Sequence, residues 1–585
     1  MKPSAFVNLN RLWAEWVVEE LVRQSVTTFY ICPGSRSTPL TVAAARHAKT
    51  QTSICYDERG AGFRALGYAR ATQQPAVVIT TSGTAVANLH PAVVEAAQDS
   101  IPLLLLTADR PPELTDTGAN QAILQTGFFA QHVRWQFELP CPSADIDPAF
   151  VLTTVDQAVH RSRDIHAGPV HLNVRIREPF LASTSPAQDC DVSGLAGWSQ
   201  ESAPWTHYSA SQLTIADADL DRVLALINRT DRGMLLVGRL GSDAQREAVR
   251  ALIRTLGWPV YADLASGLRL AEVGTHIMRY FDQALLSEEF NARCRPQTLL
   301  HLGGRVTSKR VALFFQQNRP EQTILVKEDP SRQDPMHGVT HSLHCDIEWF
   351  AQTLCRRYEG SCHAAFRGFF LERAEKVDRI IAQTIGQEQA ITEPFVARRL
   401  TELIPNNHSL FVANSMPVRD VDIYGAHQRT GVRVGVNRGA SGIDGTIATA
   451  LGFAEGCSAP TTLILGDIAF IHDMSSLSQL SGCRFPLIII VINNQGCGIF
   501  RFLPVSQEKD VFDAFFVTPH SFSLAGAGEP FQLDTYRVGT KAQFDQAYGA
   551  ALKAGRSALI EVSVDGQKSF QFRKGLKAAI LEVLK

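Results

Sequence analysis

The chain has 585 residues, 45% of them hydrophobic, which is enough for several cores and for about three domains of ordinary size. A formal net charge of -2 leaves no general basic face and argues against a nucleic-acid partner. Eleven cysteines scattered without CxxC spacing argue against a zinc site or a disulfide frame and fit a reducing compartment.

Near the N-terminus, Glu15, Glu19 and Glu20 lie in an amphipathic helical pattern unlike a signal peptide. No apolar run approaches the roughly 20 residues of a membrane span, so a cytoplasmic protein is expected. Cys55-Tyr56-Asp57-Glu58-Arg59-Gly60 follows an extended segment and opens a helix to about residue 70. A carboxylate at that place is either a helix-capping group or a functional one. Residues 76–85 read as a buried strand, a Gly/Ser/Thr turn and a helix, and residues 101–107 repeat the strand signal before Ala108-Asp109-Arg110-Pro111.

Residues 181–205, rich in Ser, Ala, Gly and Pro, read as a linker. Beyond it, a helix around 219–228 and strand signals at 234–238, 258–261, 298–303 and 322–326 build a middle domain. Gly238, Gly241, Gly303 and Gly304 resemble dinucleotide turns, but no GxGxxG opens a helix, so no nicotinamide site is expected. Arg279, Arg293, Arg295 and Arg305 offer either an anionic effector site or ordinary surface charge. A helical connector at 362–387 leads to a last domain opening near Thr392-Glu393-Pro394. The expected fold is thus three doubly wound α/β domains at 1–185, 206–356 and 390–585.

The last domain carries the most specific signal. Two apolar runs, 462–465 and 487–492, read as buried parallel strands ending at Gly466-Asp467-Ile468 and at Asn493-Asn494-Gln495-Gly496. Each ending alone is ordinary turn chemistry. Asp467 and Asn494 are 27 residues apart, the span of one strand-helix-strand crossover, so both can meet at the ligand-binding edge of one sheet. A carboxylate, an amide oxygen and the carbonyl of Gly496 form an oxygen-only set suited to magnesium or calcium, with positions left for phosphate oxygens. A metal-held diphosphate, and hence thiamine diphosphate, is the expected ligand. His472 and Asp473 read as supporting or helix-capping residues.

These segments, together with Pro33-Gly34-Ser35-Arg36-Ser37-Thr38-Pro39, Gly118-Ala119-Asn120-Gln121, Asn414-Ser415-Met416-Pro417-Val418-Arg419-Asp420 and Asn437-Arg438-Gly439-Ala440-Ser441-Gly442-Ile443-Asp444-Gly445, resemble the thiamine-diphosphate-dependent enzymes of the acetolactate synthase and pyruvate decarboxylase type. Within that group the chain is most similar to the carbon-carbon bond-forming synthases of menaquinone biosynthesis. The resemblance implies a homodimer or homotetramer with sites between subunits, and magnesium or manganese as the metal. It implies that Glu58 activates the cofactor through its pyrimidine ring and stands enclosed by apolar walls. It also implies that Ile443 props the cofactor, and that Ser415, Gly466, Asp467, Ile468, Asn494 and Gly496 bind it.

The implied substrates, 2-oxoglutarate and isochorismate, are dianions and call for arginine forks. Arg36, Arg110, Gln121, Lys309 and Arg438 match isochorismate contacts, Ser35, Gln121 and Ser415 are neutral partners, and Arg419 matches the partner of the distal carboxylate of 2-oxoglutarate. Ile499 and Phe500 match apolar positions beside the reacting carbon, or are plain core residues. One departure is visible: Gly496-Cys497-Gly498 replaces the family's consecutive glycines, which puts the turn geometry in question and makes the loop oxidation-sensitive if the thiol faces the site. A related enzyme using another 2-oxoacid, a non-catalytic binder of the cofactor, and a nicotinamide or flavin enzyme are the alternatives.

Overall fold

The computed structural model describes residues 8–181, 191–271, 277–426 and 432–585. Among the described residues every strand pairing is parallel, and the strands form three sheets of six, five and six strands. The first has the order Gln51–Ile54, Thr28–Ile31, Ala76–Thr80, Leu103–Asp109, Pro169–Arg175, Trp135–Leu139. The second runs His341–His344, Gln322–Lys327, Thr298–Leu302, Gly233–Val237, Val260–Ala262. The third runs Arg433–Val436, Ser409–Val412, Thr461–Gly466, Leu487–Asn493, Ala558–Ser563, Asp534–Val538. Central strands such as Ala76–Thr80 and Leu487–Asn493 are buried along their whole length, because helices cover both faces of a parallel sheet and alternation is lost.

The three sheets gather into two compact units. Residues 1–211, 438–458 and 473–484 form the first, and residues 212–437, 459–472 and 485–585 the second. In the second unit the middle and last sheets share one apolar core, with Tyr261, Phe281 and Phe370 in the same cluster as Leu410, Ile490 and Tyr548. In the first unit, helix Thr446–Cys457 packs on helix Glu58–Thr72. A Cβ on Gly67 would lie 2.0 Å from the carbonyl oxygen of Thr449, so only glycine lets these backbones approach.

Part of the expected linker is built structure. Residues 182–190 of it lie outside the described residues. Ser193–Leu195 and Ala196–Gln200 are short helices. Trp198 Nε1 donates to Glu20 at 2.6 Å, and the Arg23 guanidinium sits 3.9 Å over the Trp198 ring. The low-complexity composition concealed this one aromatic anchor. The connector forms helix Ala364–Gln387, and Thr392 caps helix Glu393–Leu403. Among the described residues no helix is long and apolar enough to cross a membrane.

Candidate active site

The third sheet brings the polar strand ends of the last domain together at its C-terminal edge. Three adjacent strands, Ser409–Val412, Thr461–Gly466 and Leu487–Asn493, end beside Ser415, Asp467 and Asn494 respectively. Strand order reverses next to the first of these, the place where open α/β sheets bind ligands. The backbone N–H of Gly496 donates to Asp467 Oδ2 at 2.9 Å, so the two strand ends converge. Asp467 is 2% exposed. Burial pushes its carboxyl above the ordinary range, while the N–H groups of Gly496 and Ile468 and the His520 ring draw it back. A cation would compensate that burial more fully than the N–H donors do.

Asn494 donates its side-chain N–H to Glu393 Oε1 at 3.1 Å, which engages the NH2 end of the amide and leaves the oxygen as the end a cation could meet. Glu393 is itself buried and held by the Ser569 hydroxyl and by Arg573, 3.7 Å away. His520 Nδ1 accepts from the Phe522 N–H at 3.2 Å, leaving the Nε2 proton for Asp467 Oδ2, also at 3.2 Å. Among the described residues no three His, Cys, Asp or Glu side chains gather as a metal cluster. The donor set here is instead one carboxylate, one amide and one backbone carbonyl, and its chemistry fits a hard cation bearing phosphate.

The cysteine departure is accommodated. Gly496 takes φ +139°, which needs glycine, whereas Cys497 takes φ -78°, which any residue adopts. Its thiol lies 3.7 Å from the Thr518 hydroxyl. Ser415 holds φ +68° and ψ -128°, a strained backbone for a serine, at the start of helix Met416–Tyr424. Arg419 on that helix donates back to the Ser415 carbonyl. Ile499 and Phe500 stand half-buried in the turn Gly498–Phe502, not in the core, with Phe500 edge-on to Phe516 at 5.6 Å.

The first unit holds Glu58 and most of the expected anion-binding set. Asp57, not Glu58, caps helix Glu58–Thr72, accepting from the Arg59 N–H at 2.9 Å. Glu58 is left to accept from Asn88 Nδ2 at 3.1 Å, and within its unit it is half-buried. Arg36 is 5% exposed, donates to the Ile176 carbonyl at 2.8 Å and has a buried Nε without a partner. Burial and the nearby Arg110 cation pull its guanidinium below the ordinary value. Arg110 donates to Ser82 Oγ at 2.7 Å, and Gln121 Nε2 to the Ser82 carbonyl at 2.9 Å, so the fold joins Arg36, Arg110 and Gln121 in one cationic cluster. Ser35 is exposed and Arg438 and Ile443 are half-buried in the same unit.

Lys309 lies in the second unit, exposed, as the first residue of helix Lys309–Gln317. Its neighbour Arg310 is committed to Asp282. Of the arginines considered for an effector, Arg293 pairs with Glu289 at 3.4 Å and lies over the Phe369 ring, as surface charge does. Asp473 is a helix cap, accepting from the N–H groups of Ile447 at 2.6 Å and Ala448 at 3.1 Å. Glu393, His520 and Glu95 escaped the sequence reading. A Glu in a Thr-Glu-Pro helix start and a His in a loop carry no signal in one sequence that separates them from capping and turn residues.

Family models match most of the chain: the N-terminal TPP binding domain of thiamine pyrophosphate enzymes at residues 12–128, their middle domain at 191–412, and their C-terminal TPP binding domain at 424–562. Three curated relatives share one name, 2-succinyl-5-enolpyruvyl-6-hydroxy-3-cyclohexene-1-carboxylate synthase. The protein of Salinibacter ruber is 43% identical over 98% of this chain and 97% of its own. Those of Rubrobacter xylanophilus and Prosthecochloris aestuarii are 42% and 40% identical, over 97% and 98% of this chain and 98% of each of theirs. A buried Asp467 meeting Gly496 at the edge of a parallel sheet, in a chain that aligns end to end with these enzymes, places it plainly: the chain belongs to the 2-succinyl-5-enolpyruvyl-6-hydroxy-3-cyclohexene-1-carboxylate synthase family of thiamine pyrophosphate enzymes.

Proposed function

We propose that this enzyme decarboxylates 2-oxoglutarate and adds the four-carbon remainder to isochorismate, in the cytoplasm, as a step of menaquinone biosynthesis, with magnesium or manganese as its metal. Thiamine diphosphate, held by the residues named below, would supply the carbon nucleophile that a 2-oxoacid decarboxylation and carbon-carbon bond formation require. Asp467, Asn494 and the Gly496 carbonyl hold the cation, and Gly466, Ile468 and Ser415 line the cofactor. Glu58 would hydrogen-bond the pyrimidine ring of the cofactor and hold a proton at its own carboxylate for it. Ile443 supports the cofactor from its apolar side.

The cluster of Arg36, Arg110 and Gln121, with Ser35, Arg438 and Lys309, binds the carboxylates of isochorismate. Arg419, near Ser415, takes the distal carboxylate of 2-oxoglutarate. Ile499 and Phe500 exclude water beside the reacting carbon. Holding the acceptor against the nucleophile replaces a bimolecular encounter, which is the main task left to the protein. Two copies form the working unit, Glu58 coming from one and Asp467, Asn494 and Gly496 from the other, and the domains span 1–185, 206–356 and 390–585.

The observation that carries this reading is the convergence of Asp467 with the Asn494 to Gly496 turn at one sheet edge. An ultraviolet assay of isochorismate consumption tests it, with 2-oxoglutarate, thiamine diphosphate and magnesium each omitted in turn. Consumption that requires all three supports the reading. Thiamine-dependent decarboxylation of a different 2-oxoacid, with isochorismate untouched, overturns the substrate assignment and keeps the fold.

A further inference from the structure

The loop between strand Arg433–Val436 and helix Thr446–Cys457 carries Arg438 and Ile443, and it is pinned at both ends by buried carboxylates. At the helix end Asp473 caps Ile447 and Ala448. At the other end stands Glu95, on helix His90–Gln98, 3% exposed. Three consecutive backbone N–H groups converge on it: Gly439 at 2.8 Å, Ala440 at 2.6 Å and Ser441 at 3.1 Å. Successive N–H groups aimed at one point form an anion-binding concavity. Here an internal carboxylate occupies it. Ser441 adopts φ +63° in the process.

Glu95 is anchored in turn by Arg70, 3.2 Å away, which also contacts Asp99 at 2.5 Å. Arg70 belongs to helix Glu58–Thr72. Burial and Asp99 push the Glu95 carboxyl upward, and Arg70 with the N–H groups of Gly439 and Ala440 draws it back. One buried ion network thus runs from the helix headed by Glu58 to the loop bearing Arg438. Three hydrogen bonds to a single carboxylate exceed what a loop needs merely to be tethered. They fix the orientation of three successive peptide planes, immediately beside Arg438.

We propose that Glu95 is a positioning residue that sets the conformation of the loop from Arg438 to Gly445, and through it the placement of the Arg438 guanidinium for an anionic acceptor and of Ile443 beneath the cofactor. The proposal rests on the roles given above to Arg438 and Ile443. The amide of Glu95→Gln keeps the shape of the side chain but has one acceptor oxygen in place of two, and its NH2 would face N–H donors.

The test compares wild type, Glu95→Gln, Arg438→Ala and the double variant. Two readouts apply: hydrogen exchange of the amides at 439–441, and steady-state kinetics with each substrate varied. Glu95→Gln should release those amides while the strands of the first sheet stay protected. It should also raise the KM for isochorismate about 10- to 100-fold, the penalty expected of a misplacement near 1 Å, with the KM for 2-oxoglutarate unmoved. The double variant should be no worse for isochorismate than Arg438→Ala, because the two residues act as one unit. Amides that exchange at wild-type rates in Glu95→Gln overturn the proposal. So does an unmoved isochorismate KM where Arg438→Ala raises it. If Arg438→Ala itself leaves the isochorismate KM unchanged, the assignment of Arg438 fails, and the proposal, which places that guanidinium for the acceptor, falls with it. Should Glu95→Gln fail to fold, Glu95→Asp, whose carboxylate is withdrawn by one methylene, must show intermediate exchange and an intermediate KM, and wild-type values there overturn the proposal equally.

Discussion

Glu393 accepts the side-chain N–H of Asn494 at 3.1 Å, and this one contact decides which end of the amide can face a cation. An unrestrained Asn would present its oxygen or its NH2 group, and only the oxygen ligates a hard metal. Glu393→Gln can offer either end of its own amide and should lose that discrimination. Arg573 stays paired through Asp420 at 2.5 and 2.8 Å, so the fold should survive. We expect the magnesium needed for half-saturation to rise about 10- to 100-fold, as for other residues that orient a metal ligand. Titration of magnesium at fixed thiamine diphosphate, followed by tryptophan fluorescence, checks this, and an unchanged midpoint counts against it.

Glu58 is relieved of helix capping by Asp57. The substitution Glu58→Gln should therefore leave the melting temperature nearly unchanged and lower turnover about 100- to 10,000-fold, the usual range for loss of a group acting on proton transfer. Cofactor affinity measured by the same fluorescence titration should stay within a few-fold of wild type. Normal turnover would refute the activating role.

The contact between helices Glu58–Thr72 and Thr446–Cys457 leaves no room for a methyl group at Gly67. Gly67→Ala has to push backbone against backbone, where no side chain can turn aside. A loss of about 1–3 kcal/mol or more is expected, against the modest gain that alanine brings to an open helix position. Gly549, in helix Lys541–Ala554, has nothing within 4 Å of the place a methyl group would take. It is the control, since Gly549→Ala should be neutral or stabilising. Chemical denaturation of the two variants should order them in that way.

Burial, reinforced by Asp156, pushes the Glu20 carboxyl up to about 8 from an ordinary 4.5. The folded protein therefore holds this proton more tightly than the unfolded chain does. The resulting stabilisation is complete below pH 4.5 and is lost as pH rises through about 8. Wild-type melting temperature should fall between about pH 4.5 and pH 8 and level off above, and Glu20→Gln should flatten that fall in proportion to the share carried by this group. Parallel curves for the two proteins would show that Glu20 ionises normally in the fold.

By itself the sequence determined the layered α/β architecture and the polar ends of its buried strands. Buried parallel strands need unbroken apolar runs, and Gly466-Asp467 and Asn494-Gln495-Gly496 follow two of them directly. The resemblance to a known family, not a local pattern, put Glu58, Arg36, Arg110 and Gln121 forward as site residues. Only the tertiary structure decided which carboxylate caps a helix and which is left over, as at Asp57 and Glu58. It alone joined two sheets into one core, anchored Trp198 on Glu20, and brought Glu393, His520 and Glu95 onto groups far away in the chain. Apolar periodicity is local and survives in one sequence. A hydrogen bond between residues 344 apart, as between Glu95 and Gly439, has no local pattern, because its geometry exists only once the intervening chain has folded.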